Sequence, residues 1–334
     1  MTDAVARVET IFRKSRGDCL GHGSSGIVLT VNSDIVVKTA CRYDTHPPGY
    51  AEEERYSLTR IKQESAVFDI LEKPENWHPN IVLSFLHAPD YIFMERVTGD
   101  LVDYVTGNFP VPLCTTYRFL RDIVNAVSWL GQMAILHGDV RPPNVLIDGK
   151  GHVKLCDFDN ACSFGQYIQV GNAPYYEQSD TGSFGIAGPE SEQGAIGCCA
   201  YFMSTGTEPQ DRSHSTSQIP VFGAIIRKCW DGRYPSIAEL GKDMIAGIDQ
   251  QECQVCQAIC EQGSLMTIEH YQKRVAECRK YLSLNGLVAE ETSSDSPSKT
   301  RALPSPLHFN PSNDNSKLEI YSLVEYEDSE TLAS

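Results

Sequence analysis

No stretch of the 334 residues approaches the roughly 18 consecutive apolar residues of a membrane-spanning helix. The opening MTDAVARVETIFRK also lacks an apolar core of signal-peptide length. Basic residues are scarce: 28 Lys and Arg stand against 44 Asp and Glu, a formal net charge of −16, and they form no cluster of the kind that phosphate contacts require. Neither a nucleic-acid partner nor a membrane is therefore expected. A disulfide framework is missing too, because the 12 cysteines are scattered through apolar runs such as those of Cys156, Cys198, Cys199 and Cys229, where a reduced thiol behaves as a small hydrophobe. The expectation is a soluble protein of a reducing compartment, cytoplasmic or otherwise intracellular, the nucleus included. With 41% hydrophobic residues the chain can bury a sizeable core, enough for one two-lobed domain or two domains with a tail.

The most informative stretch is HGDVRPPNVLIDGKGHVKLCDFD, from His137 to Asp159. Asp139 is followed five residues later by Asn144 and eighteen residues later by Asp157, with two apolar strand-like runs, 144–147 and 152–156, between them. That pattern predicts a loop flanked by a hairpin. Phosphoryl transfer needs a carboxylate to orient the attacking hydroxyl and oxygen ligands to hold magnesium against the phosphates. Asp139 suits the first task, and Asn144 and Asp157 the second. The stretch resembles the catalytic loop and metal-binding motif of the protein kinase superfamily, which read HRDxxxxN and DFG in most members. Gly138 stands in place of the usual arginine, and Asp159 in place of the last glycine. Both departures also occur in small-molecule kinases of the aminoglycoside and choline type. Asp139, Asp157 and Asp159 are expected to crowd one site that a divalent ion would relieve.

Upstream, Gly21, Gly23 and Gly26, with Val28, spell GxGxxGxV, and the run 35–38 ends on Lys38, ten residues beyond Val28. The glycines would let main-chain N–H groups approach phosphates, Val28 would cover a base, and the Lys38 ammonium would reach the α and β phosphates. A dinucleotide site would need a helix opening at the third glycine, whereas 27–31 is strand-like. Residues 41–57 read as a loop leading into a helix. Over 58–71, Ile61, Glu64, Phe68 and Leu71 share one helical stripe. Glu64 is polar on an apolar face, and the resemblance implies that it pairs with Lys38; a solvated edge position and the glutamates at 52–54 are the alternatives.

His78–Val82 is expected to open a strand and Tyr91–Val97 to form the next. The resemblance makes the latter a hinge, with Met94 behind an adenine and the backbone of Glu95 and Val97 at its edge; an ordinary hairpin strand fits as well. Asp100 falls where a ribose-contacting acid is expected. A helix is predicted over 113–133 from the spacing of Leu120, Ile123, Val124, Val127 and Leu130. Residues 160–174 resemble an abbreviated activation segment, and with Gly138 in place of arginine, control by an added phosphate is not expected there. Glu192 replaces a structural Asp of the family. Arg233 is expected to pair with Glu177 or Glu190 in a late signature that small-molecule kinases lack. Cys253, Cys256 and Cys260 fall on one side of a helix, as a packed face rather than a zinc site. From Leu287 onward, nine acidic against three basic residues predict a disordered tail.

Taken together, the resemblance implies an α+β bilobal protein-kinase-like fold, with a small antiparallel-sheet N-lobe over 17–97, a mainly helical C-lobe over 98–283 and a tail over 287–334. It implies ATP and Mg2+ as cofactors and a protein substrate carrying Ser or Thr. Asp139 would act as base, Arg141 would steady the transferring phosphate, Lys38 and Glu64 would form the phosphate-binding pair, and Asn144 and Asp157 would hold the metal. A small-molecule kinase and a nucleotide-binding pseudokinase are the rival readings.

Overall fold

Side chains alternate across β4 (Ile35–Thr39), and that alternation organises the first layer. Ile35 and Val37 face one side with Ile27, Leu29, Tyr91 and Phe93, while Val36 faces the other with Ile92 and Met94. The computed structural model describes residues 8–9, 19–23, 25–43, 50–179, 182–246 and 265–287. Its main sheet has five antiparallel strands in the order β2 (Cys19–Gly23), β3 (Gly26–Thr30), β4, β7 (Tyr91–Glu95), β6 (Ser84–Ala88). Two residues form β1 (Val8–Glu9), which pairs with β5 (Arg42–Tyr43). The register Val28↔Lys38↔Ile92 beside Val36↔Met94 puts Val28, Lys38 and Met94 on one face of the sheet. Gly26 is required by packing: a Cβ there would lie 2.5 Å from the Thr39 carbonyl oxygen.

Helix α1 (Tyr50–Leu71) lies on the inner face through Ile61, Val67, Phe68 and Leu71. It begins earlier than the polar stretch 41–57 suggests, because Glu52 and Glu53 in its first turn suit the positive end of the helix dipole. The strand expected at 78–82 is also displaced. Pro79 lacks an N–H, and the segment instead pairs with β11 (Val153–Leu155), Val82 N donating to Leu155 O at 2.9 Å and Leu155 N to Asn80 O at 2.9 Å. His78 stacks on Trp129 with centroids 5.7 Å apart, and burial pushes its pKa down to about 4. The folded value lies below the ordinary 6.5, so the unfolded chain takes the proton first. Its contribution to stability is present above that ordinary value and is lost as pH falls towards 4. Melts of the parent and of His78→Phe between pH 7 and pH 4 check this: the parent should lose stability more steeply. Parallel curves would show that His78 does not titrate there.

The second layer is helical. Helix α2 (Leu101–Asn108) follows β8 (Gly99–Asp100), and α3 (Leu113–Gln132) buries Leu120, Ile123, Val124, Val127 and Leu130 at its predicted spacing. With α4 (Gln193–Thr205), α5 (Gly223–Trp230) and α6 (Ile237–Ala246) it joins the same apolar cluster as α1. Strands β10 (Val145–Ile147) and β11 form a hairpin, and β10 also pairs with β8. Strand β9 (Ile135–Leu136) pairs with β12 (Cys162–Ser163). The loops 137–144 and 156–161 therefore run between two short antiparallel pairings.

Helix α7 (Ile268–Leu284), at the end of the range expected for the C-lobe, packs on the sheet. Cys278 and Leu282 are buried against the outer face of the five-stranded sheet, beside Phe85 and Phe93. Arg274 reaches Asp34 at 3.0 Å, and the Tyr271 ring packs tilted against Trp77 with centroids 4.8 Å apart. Cys278 is thus a packed core thiol; Cys253, Cys256, Cys260 and the expected tail beyond Leu287 lie outside the described residues. Among the described residues every cysteine is a free thiol, and no helix is long and apolar enough to cross a membrane.

Candidate active site

Lys38 projects from the inner face of β4 into the seam between the layers, 5% exposed. Its Nζ lies 2.6 Å from Glu64 Oε2 and 2.6 Å from Asp157 Oδ1. Burial works against its charge, but the carboxylates of Asp157, Glu64 and Asp159 outweigh it and hold the ammonium protonated, well above the ordinary lysine range. Glu64 is fully buried on α1, and its other oxygen accepts from Phe158 N at 3.3 Å. Of the alternatives at 52–54, Glu52 is exposed, Glu53 accepts from the Tyr43 hydroxyl and Glu54 from the Tyr43 N–H. Phe158 anchors the loop between Phe68 and the His137 ring, at centroid distances of 5.6 and 4.8 Å. Asp157 takes a left-handed φ of 66°, sparsely populated for a non-glycine residue and held by these neighbours. Burial resists ionisation of Asp157, but Lys38 overcomes it and lowers the pKa.

The loop beneath is organised by its own polar groups. Asp139 N donates to His137 Nδ1 at 3.3 Å, which leaves the proton on Nε2 to bond the Cys156 carbonyl at 3.0 Å. Asn144 Nδ2 donates to both the main-chain oxygen and Oδ2 of Asp139, each at 2.9 Å. Asn172 Nδ2 donates to the other carboxylate oxygen at 2.8 Å. Arg141 Nε is 3.8 Å from Asp139 Oδ2 and is a buried nitrogen with no hydrogen bond. Gly138 N donates to Glu192 Oε1 at 3.0 Å, and the Tyr176 hydroxyl donates to the same oxygen at 3.0 Å.

Asp159 is 7% exposed and accepts from Asn160 Nδ2 at 2.8 Å. Burial and the neighbouring Asp157 charge raise its pKa to about 6. The expected crowding is thus felt at Asp159, where Asp157 and, more weakly, Asp139 oppose ionisation, while Asp139 is turned onto two amides and Asp157 onto Lys38. Among the described residues no trio of acidic, histidine or cysteine side chains could hold a metal by itself.

Along the upper wall, Val28 and Val97 are half-buried over the core, and Met94 is buried. Cβ atoms added at Gly21 and Gly23 meet nothing within 4 Å, so this part of the glycine loop borders open space. Glu95 is partly committed: its N–H donates to the Leu83 carbonyl at 2.9 Å, and its carboxylate accepts from Leu83 N and Lys154 Nζ. Of its main chain, only the carbonyl can serve a hinge. Asp100 Oδ1 caps α2 by accepting from Asp103 N at 2.9 Å. That is a structural task at the cleft edge.

The profile of the protein kinase domain family matches residues 15–249, which takes in both layers and every one of these side chains. This chain belongs to the protein kinase family. It is 29% identical over 211 residues to the serine/threonine-protein kinase PrkC of Bacillus subtilis, covering 59% of this chain and 31% of that protein. It is 26% identical over 215 residues to the 3-phosphoinositide-dependent protein kinase 1 of Arabidopsis thaliana, covering 55% and 40%. With the human NUAK family SNF1-like kinase 2 the figures are 27% over 169 residues, 47% and 26%. The chain thus spans well under half the length of these relatives.

One expectation about the kinase domain fails. Arg233 is 66% exposed and pairs with Asp231 at 2.9 Å, because the left-handed Gly232 turns it outward. Arg212 meets Glu177 at 3.6 Å and donates to the carbonyls of Pro174 and Tyr175. Sequence reasoning misses two contributors. Arg60, whose signal is its place one turn before Glu64, donates to the Asp159 carbonyl and to Asn160 Oδ1. Asn172 has no local signal at all, since only the path of the 160–179 segment brings it to Asp139.

Proposed function

We propose that this kinase domain catalyses ATP-dependent phosphorylation of Ser or Thr in proteins. The observation that carries the reading is the bridging of Glu64 and Asp157 by Lys38, together with an Asp139 carboxylate held by Asn144 and Asn172. This is a seam between two layers poised for phosphates rather than a solvated ion pair. The donor set suits the cofactor: Asn144 spends its amide nitrogen on Asp139 and leaves its oxygen, Asp157 gives one oxygen to Lys38, and Arg141 keeps a buried N–H unpaired. Both metal candidates are hard oxygen donors, as magnesium prefers. Magnesium, when bound there, would neutralise phosphate charge. Lys38 binds phosphate oxygens, Arg141 steadies the group in transfer, and Asp139 orients the attacking hydroxyl and takes its proton. Val28, Met94 and Val97 enclose the base, with the glycine loop over the phosphates. The preference for Ser or Thr draws on the relatives, one of which is named a serine/threonine kinase.

The test is incubation with magnesium and labelled ATP, alone and with a generic protein substrate. Label should pass to protein. Transfer only to an added aminoglycoside or choline would select the small-molecule reading, and binding without transfer the scaffold reading. Magnesium-ATP should also raise the melting temperature. Lys38→Met should weaken nucleotide binding about ten- to a hundredfold, the worth of a charge-assisted hydrogen bond, and keep a cooperative melt. An undiminished thermal shift in that variant would remove Lys38 from the site.

A further inference from the structure

Helix α1 grips the loop after Asp157 at two points one turn apart. The first is Glu64, which accepts from Phe158 N. The second is Arg60, 9% exposed, whose Nη1 donates to the Asp159 carbonyl at 2.9 Å and to Asn160 Oδ1 at 2.9 Å. The Tyr56 ring, one turn earlier, lies 4.8 Å from the guanidinium and backs it. On the other side, the Asn160 carbonyl packs against Gly138 so closely that a Cβ there would sit 2.3 Å from its oxygen. Ala161 N closes the turn on Phe158 O at 3.0 Å. Residues 158–161 are therefore held between α1 and the catalytic loop, and Gly138 offers no cationic side chain for an added phosphate.

We infer that Arg60 is a positioning residue that locks helix α1 onto the loop carrying Asp157, so that Glu64 and Asp157 stay on Lys38 with no phosphate on the segment beyond Asn160. A guanidinium suits this task because it stays charged and can serve two acceptors that diverge from one turn. The neutral acceptors make it a charge-assisted bond to backbone and amide rather than an ion pair. The role in catalysis rests on the function proposed above, but the lock itself exists in the nucleotide-free protein and can be measured there.

The experiment is hydrogen exchange on the nucleotide-free full chain, comparing the parent with Arg60→Met, Arg60→Lys and Asn160→Ala. In Arg60→Met the amides of Phe158 and Ala161 should exchange about ten- to a hundredfold faster, as loss of a charge-assisted hydrogen bond implies, with the α3 amides unchanged. Arg60→Lys should recover part of the protection, and Asn160→Ala, which keeps the carbonyl contact, should show a smaller increase. Effects of the Arg60→Met and Asn160→Ala pair should fall short of additive. In turnover assays Arg60→Met should lower kcat and weaken the response to magnesium, and phosphatase treatment should leave the parent's activity unchanged. Unaltered exchange at 158–161, acceleration spread equally over α3, or phosphatase-sensitive activity would each overturn the lock. Failure of the parent to transfer phosphate would instead overturn the proposed function and leave the exchange result standing.

Discussion

Asp139→Asn lowers turnover by about 10² to 10⁴, the range expected for loss of a positioned general base, and preserves the magnesium-ATP thermal shift. The separation follows from the geometry. Nucleotide contacts are assigned to Lys38, Asn144 and Asp157, and none of these needs the charge of Asp139. Asn144 keeps its bond to the main-chain oxygen of residue 139, so the loop retains one of its two ties to that side chain's position. The carboxylate at present receives an amide N–H on each oxygen, from Asn144 and Asn172. An asparagine can offer only one oxygen, and its own NH2 then faces another NH2. Local stability should therefore fall slightly, by the order of one unmade hydrogen bond, about 1 kcal/mol. Initial rates and thermal melts on the same preparations check both halves. A variant that loses nucleotide binding in step with turnover would make Asp139 a support of the loop and not its base.

Gly138→Ala should cost roughly 2 to 5 kcal/mol of stability, combining a left-handed backbone with overpacking. The residue sits at φ 81°, and a Cβ would fall 2.3 Å from the Asn160 carbonyl oxygen and 2.9 Å from its carbon. Neither side can give way cheaply. Glu192 holds the Gly138 N–H, while Arg60 holds Asn160 by its side chain and Asp159 by its carbonyl. For a domain of this size the expected fall in melting temperature is roughly 5 to 15 °C. The same overlap explains why the arginine usual in the family is absent here: in this packing there is no room for any side chain. Thermal melts decide the matter, and a fall of about 2 °C or less would mean that the loop relaxes around the new methyl group.

Local rules were enough for much of the site. Strand alternation puts Lys38 on the face opposite Ile35 and Val37, helix period puts Glu64 on the buried stripe of α1, and the short hairpin 145–155 carries Asn144 and Asp157 at its ends. These placements depend on hydrogen bonds and periodicities that span at most a few residues, so residue order alone predicts them. The contacts that tune the site are of another kind. Arg60 meets its acceptors across 99 and 100 residues, Asn172 meets Asp139 across 33, and Arg212 rather than Arg233 meets Glu177. Helix α7 covers the sheet's outer face, although its own pattern names no partner. In each case many surfaces would satisfy the side chain equally well by chemistry. The choice among them is made by how the layers pack and by where loops such as 160–179 return, a long-range property that no local pattern encodes.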